Sequence, residues 1–240
     1  MLLRTWATLL SLSSLSLSSL SLRRSPQTAL ATAQILLVRF FAVAPSSEFA
    51  VADIALACVL LACKVEEVGR RVADVVNVYF ALKVPCRLFR RTLICQSCSQ
   101  LYEASDHKET AVFVDVPYET MNEYKDAIIK GEIHILARLG FNVHVQHPHG
   151  FMVNYLKSLG LASDKELAQF CWNCLNDVVR TEVVVYYQPN VIACAAIYYG
   201  ACKFGVILPV SPPWWELFDA SLVDIEIICE HLAALYARDV

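Results

Sequence analysis

Apolar positions along this chain recur with helical spacing almost throughout. From Thr28 to Val43 they fall on more than one face, and Pro45-Ser-Ser ends the run, which predicts a helix of about four turns. A second helix is predicted from Ser47-Glu48 to Glu67, stopped by Gly69, and a shorter one from Arg71 to about Leu82. Tyr118 to Leu139 places Met121, Tyr124, Ile128, Ile135 and Leu139 on one face, with Glu132 inside the helix and Gly140 at its end. Further helices are predicted at 150–159, 164–179, 189–204 and 222–237, with Asp164 as an N-cap and Pro189 in a first turn. The pattern is all-α; only Val183-Val-Val-Tyr-Tyr reads as a short extended run.

Two of these segments are variants of one small-residue stretch, Ala57-Cys-Val-Leu-Leu-Ala-Cys-Lys64 and Ala196-Ile-Tyr-Tyr-Gly-Ala-Cys-Lys203. Small residues at helical spacing let neighbouring helices approach from several sides, so each stretch is expected at the centre of its own bundle. The expected organisation is a Leu/Ser-rich low-complexity segment at 1–24, disordered or a mis-assigned start; a first bundle at 25–146; and a second at 147–240, with His147-Pro-His149 at the boundary. Residues 84–117 break the periodicity and read as an inserted loop.

Length and charge then narrow the picture. The chain has 240 residues, enough for two small cores, with 57% hydrophobic and 18% charged residues. A net charge of −3, with no basic run, disfavours direct binding to nucleic acid. The stretch 183–202 carries no formal charge, but Gln188-Pro-Asn190 interrupts it, so no membrane span is expected. Of ten cysteines, Cys58, Cys63, Cys194, Cys202 and Cys229 lie in apolar helical runs and read as small buried hydrophobes in a reducing compartment. Cys95-Gln-Ser-Cys98 and Cys171-Trp-Asn-Cys174 have metal-like spacing without a second pair in register, and the helical setting of the latter argues against a zinc site. The three histidines at 144, 147 and 149 read as packing and linker residues, and Trp214-Trp215 as a plug of the second bundle. The seven glycines are scattered, and neither a phosphate loop nor a nucleophile with a nearby base is evident, so no catalytic residues, cofactor or metal are expected.

The ordered motifs Ala62-Cys-Lys64-Val-Glu-Glu67, Arg70-Arg71-Val-Ala-Asp-Val-Val-Asn77, Leu139-Gly-Phe-Asn-Val-His-Val-Gln-His147-Pro-His149 and Gln188-Pro-Asn-Val-Ile-Ala-Cys-Ala-Ala-Ile-Tyr resemble the cyclins, most of all the transcription-associated cyclins of the L type. The resemblance runs from about Ala29 to Arg238 with a gap at the insert. It implies two tandem five-helix cyclin folds, the first incomplete at its N-terminus because residues 1–24 show no Arg-x-x-Leu helix, leaving apolar surface uncovered near Phe40, Phe41 and Leu60.

The resemblance also implies a regulatory subunit with no chemistry of its own, acting in the nucleus on a cyclin-dependent kinase of transcription or pre-mRNA processing. By motif position, Lys64 and Glu132 would hydrogen-bond the kinase backbone, with Glu67, Arg70 and Arg71 beside them. An ammonium offers three donors and a carboxylate accepts from N–H groups. Arg70 and Arg71 could equally serve the end of the preceding helix electrostatically. Two other readings stay open: a promoter-binding factor of the general IIB type, which would carry a zinc ribbon and a basic surface, and an enzyme or membrane-associated helical protein. A cyclin unable to bind a kinase is a further variant of the first.

Overall fold

The computed structural model describes residues 27–83 and 117–238. The expectations for residues 1–24, for the 84–117 insert apart from Pro117, and for Cys95 and Cys98 lie outside them. The described residues are all helical: α1 (Gln27–Val43), α2 (Val51–Val65), α3 (Val72–Lys83), α4 (Tyr118–Arg138), α5 (Pro148–Ser158), α6 (Lys165–Val178), the single turn α7 (Val183–Tyr186), α8 (Pro189–Phe204), a 3-10 turn (Glu216–Phe218) and α9 (Leu222–Arg238). They form two compact units, one of 27–33, 45–83 and 117–142, the other of 34–44 and 143–238.

In the first unit α2 packs on α4 and α3. Every residue from Ile54 to Cys63 except Val59 is buried. The two helices run antiparallel: Arg138 Nη2 donates to Glu48 Oε2 at 3.3 Å, the His134 and Phe49 rings lie 5.3 Å apart, and Gly131 faces Asp53 and Ala57. Their approach is close because a glycine meets an alanine. A Cβ at Gly131 would sit 2.8 Å from Ala57 Cβ, nearer than packed carbons tolerate. Ile128 and Ile135 seal the contact with no exposure, and Tyr124 closes it against Tyr79 and Phe80.

The second unit is built around α8, which touches α5, α6, α7, α9 and the 3-10 turn. Val191 to Ile197 are all buried, and a Cβ at Gly200 would fall 2.9 Å from both Cys171 Sγ and Leu167 Cδ1 of α6. Asp164 caps α6 by accepting from the Leu167 N–H at 3.0 Å. Trp214 is 1% exposed and plugs this unit, whereas Trp215 is only half-buried.

Several expectations need correction. The Val183 run is a helical turn, its Tyr187 N–H bonded to the Val183 carbonyl, because the short segment between α6 and α8 closes its own backbone bonds locally. Cys202 is exposed and Cys229 half-buried; only Cys58, Cys63 and Cys194 of that group are core thiols. Among the described residues Phe40 and Leu60 are fully buried and Phe41 half-buried, so these three side chains do not form the uncovered surface expected there. The helix carrying Lys64 begins at Val51, and its stop is set at Glu67 before Gly69 is reached.

Candidate functional site

The stop of α2 is a Schellman motif. The Val68 N–H bonds to the Cys63 carbonyl at 2.7 Å, and Glu67 takes the left-handed conformation, φ 54°, that such a motif requires. Glycine usually fills this place, and a residue with a Cβ is strained there by about 1–2 kcal/mol. The following connection is tied at its far end too. Asp74 Oδ2 accepts from the Arg71 N–H at 3.1 Å, half of a capping box that starts α3.

Lys64 lies in the last turn of α2, just before this stop, and its ammonium donates to both carboxylate oxygens of Glu132, at 2.6 and 2.7 Å. Glu132 follows Gly131, so the glycine that brings α4 against α2 also brings the carboxylate within reach. The Glu132 side chain is 14% exposed and the Lys64 side chain 56%. An ammonium carries three donors, so a contact with one carboxylate does not exhaust it. The pair adds only about 0–1 kcal/mol to stability, as such partly exposed ion pairs do.

The structure thus brings Lys64 and Glu132 together and sets Glu67, Arg70 and Arg71 on the connection directly after α2. Glu67 and Arg71 are exposed; Arg70 is half-buried, and its charge opposes the upward push that burial gives the Cys63 thiol.

Three residues of this site were not singled out from sequence. Thr32, fully buried on α1, donates to Glu66 Oε1 at 2.7 Å. A hydroxyl inside an apolar run must find a partner, which was the available signal. Asp74, an acidic residue in the first turn of α3, was the available signal for a bond back to the helix start. Gly131 was an isolated glycine within a helix, a mark of close packing.

The other candidates take structural places. His149 is 8% exposed, its Nε2 is 3.0 Å from Asn176 Oδ1, and its ring meets Trp172 at 4.7 Å. Burial holds its pKa below the ordinary histidine value, the Asn176 bond opposes that shift and His147 adds to it. His147 is the N-cap of α5 and Pro148 its first residue. Cys171 is pushed up to about 12 by burial and donates to the Ala196 carbonyl at 3.4 Å, so it stays a thiol and a poor metal ligand. Among the described residues no group of three or more His, Cys, Asp or Glu is placed to hold a metal, and no helix is long and apolar enough to cross a membrane.

Comparison with known proteins adds the family. Residues 21–144 match the profile of the cyclin N-terminal domain. Human Cyclin-L2 is 39% identical over 90% of this chain and 38% of its own length, and zebrafish (Danio rerio) Cyclin-L1 is 38% identical over 91% and 39%. The chain therefore spans well under half the length of these curated relatives. A chain in the crystal structure of the yeast RNA Pol II CTD kinase CTDK-1 complex shares the fold, with a TM-score of 0.74 at 16% identity, over 98% of this chain and 66% of that one. A duplicated small-residue helix, an all-helical fold and a profile match over half its length place this chain in the cyclin family.

Proposed function

We propose that this cyclin is the regulatory subunit of a cyclin-dependent kinase that acts in the nucleus on transcription or pre-mRNA processing, and that Lys64 and Glu132 hold the kinase. The observation that carries this reading is the ion pair itself. A bidentate contact brings the two groups together, the exposed Lys64 ammonium retains donor capacity, and Glu132 sits in a partly dry setting where bonds accepted from a kinase's backbone N–H groups are strengthened. Glu67, Arg70 and Arg71 flank the pair on the connection between α2 and α3. The L-type relatives and the fold shared with a chain of the CTDK-1 complex support the assignment to transcription. The cyclin contributes no catalytic group; by docking it favours the active arrangement of the kinase, and it can shift that equilibrium only by its differential affinity for the two states.

The test is capture of recombinant cyclin-dependent kinases, one at a time, on the immobilised chain. Lys64→Glu and Glu132→Lys should each lose capture. The double exchange Lys64→Glu/Glu132→Lys restores an internal ion pair without restoring the donor and acceptor positions offered to the kinase, so it should remain defective. Equal recovery by wild type and both single variants refutes the assignment.

A further inference from the structure

The connection between α2 and α3 is held by bonds within the segment and also from outside it. Val68 is tied back to Cys63 by the Schellman bond, and the Arg71 N–H is tied forward to Asp74. Both anchors are local. A long-range anchor is the bond from Thr32 to Glu66, thirty-four residues apart in sequence, in which the hydroxyl of a fully buried threonine on α1 grips the C-cap residue of α2 at 2.7 Å.

The placement is informative because Glu66 immediately precedes the strained residue. Glu67 stands at φ 54° without being glycine or asparagine. Such a conformation persists only where the surroundings over-determine it. The charge-assisted bond to Glu66 is a tertiary contact placed to do this, since it fixes the residue through which the helix passes into the left-handed turn. The exposed side chain of Glu67 leaves the chain from that turn, two residues after the end of the helix that carries Lys64.

We infer that Thr32 is a positioning residue for the docking surface: through Glu66 it pre-organises the Lys64–Arg71 segment that receives the kinase. This rests on the kinase reading proposed above. Its benefit to binding is entropic, because a segment already held in its bound shape loses little freedom on association. A hydrogen bond to a charged group is strong enough that losing it should open the turn about tenfold more often.

Three variants separate positioning from stability. Thr32→Val keeps the volume and removes the hydroxyl. Thr32→Ser keeps the hydroxyl and removes a methyl group. Glu66→Gln keeps an acceptor without the charge, at a half-exposed position where folding is not at risk. Amide exchange at Val68 should quicken about tenfold in Thr32→Val relative to the most protected core amides, by a smaller factor in Glu66→Gln, and hardly at all in Thr32→Ser. Kinase capture should fall in the same order, with Thr32→Ser rescuing it even though the serine variant melts no higher than the valine variant. A merely structural threonine would make affinity follow melting temperature, and that result, or unchanged Val68 exchange in both Thr32→Val and Glu66→Gln, overturns the inference. If Thr32→Val does not fold, Glu66→Gln decides alone. Should Lys64→Glu bind kinase normally, the kinase reading falls, while the exchange data still decide whether Thr32 holds the turn.

Discussion

Lys64 and Lys203 occupy the same place in two copies of one helix, and their surroundings differ. Both close an Ala-Cys-Lys run in the last turn of a buried central helix. Lys64 meets a carboxylate on both oxygens. Lys203 instead lies over the ring of Phe170, 4.0 Å from its centre, with Phe204 and Tyr199 packed against that ring. A cation on an aromatic face is held by the ring quadrupole and has no acceptor to share with a partner backbone. The helix ends differ in the same sense. The first copy turns through a strained glutamate, while the second turns through Gly205 at φ 67°, where a missing side chain costs nothing. Strain at one end and relaxation at the other distinguish the two helix ends.

The sharpest way to break this contrast is to neutralise the two lysines in turn. Lys64→Met should weaken kinase capture by roughly tenfold or more, because it removes a charged donor to the kinase backbone, and a hydrogen bond to a charged group is worth about 1.5–3 kcal/mol. Lys203→Met should leave capture unchanged and lower stability by about 0.5–1 kcal/mol, the value of an exposed cation–aromatic contact. Equal losses of capture would mean that the second unit docks as well.

The central helices differ next in how tightly each is gripped. At Gly131 the obstacle to a side chain is Ala57 Cβ, fixed to the backbone of α2, with the Asp53 carbonyl 3.4 Å away. At Gly200 the obstacles are the ends of Leu167 and Cys171, which can turn. Gly131→Ala should therefore cost about 1–2 kcal/mol, the overpacking penalty less the helix preference of alanine, and should also weaken capture by displacing Glu132. Gly200→Ala should cost less than half as much. Urea unfolding of both variants measures the difference.

These contrasts were only partly legible in the sequence. Helical period, proline at Pro148 and Pro189, and glycine at Gly140 marked most helices to within a residue or two, since those signals are local. The four-residue turn at Val183 was too short for a period to register, and valines favour extended chain until tertiary packing overrides them. Lys64 and Glu132 could be named from the motif, but nothing in the spacing says that they touch; that depends on Gly131 meeting Ala57. The buried hydroxyl of Thr32 signalled that it needs a partner, but nothing in the spacing names Glu66 as that partner. Exposure of Cys202 was hidden because a helix that is apolar all round gives no sign of which edge faces water.

A smaller effect comes from the turns. Glu67→Gly should raise stability by up to about 1 kcal/mol, relief of the left-handed strain being partly cancelled by the greater freedom of glycine in the unfolded chain. Gly205→Ala should lower it by about 1 kcal/mol. If Glu67 is held in its turn for docking, Glu67→Gly will gain stability and lose affinity together, an opposition with no counterpart at Gly205.

The mildest contrast is one of pH, and it belongs to the second unit through His149. Its burial between Asn176 and Trp172 favours the neutral ring, so its folded pKa lies below the ordinary value of about 6.5 that the unfolded chain retains. The sign follows from proton counting. Between the folded pKa and about 6.5 the unfolded state binds a proton that the folded state refuses, so stability rises with pH across that window. The contribution is complete above about pH 6.5 and is lost as pH falls toward the folded pKa. His147, which disfavours the charged ring further, widens the window. Melting temperatures measured from pH 8 to pH 5.5 should fall on acidification, and His149→Gln, which keeps a neutral hydrogen-bonding group near Asn176, should fall less steeply. Because Lys64 and Glu132 lie in the other unit, kinase capture by His149→Gln should match wild type at pH 7.5; a loss there would show that the histidine serves the docking surface after all.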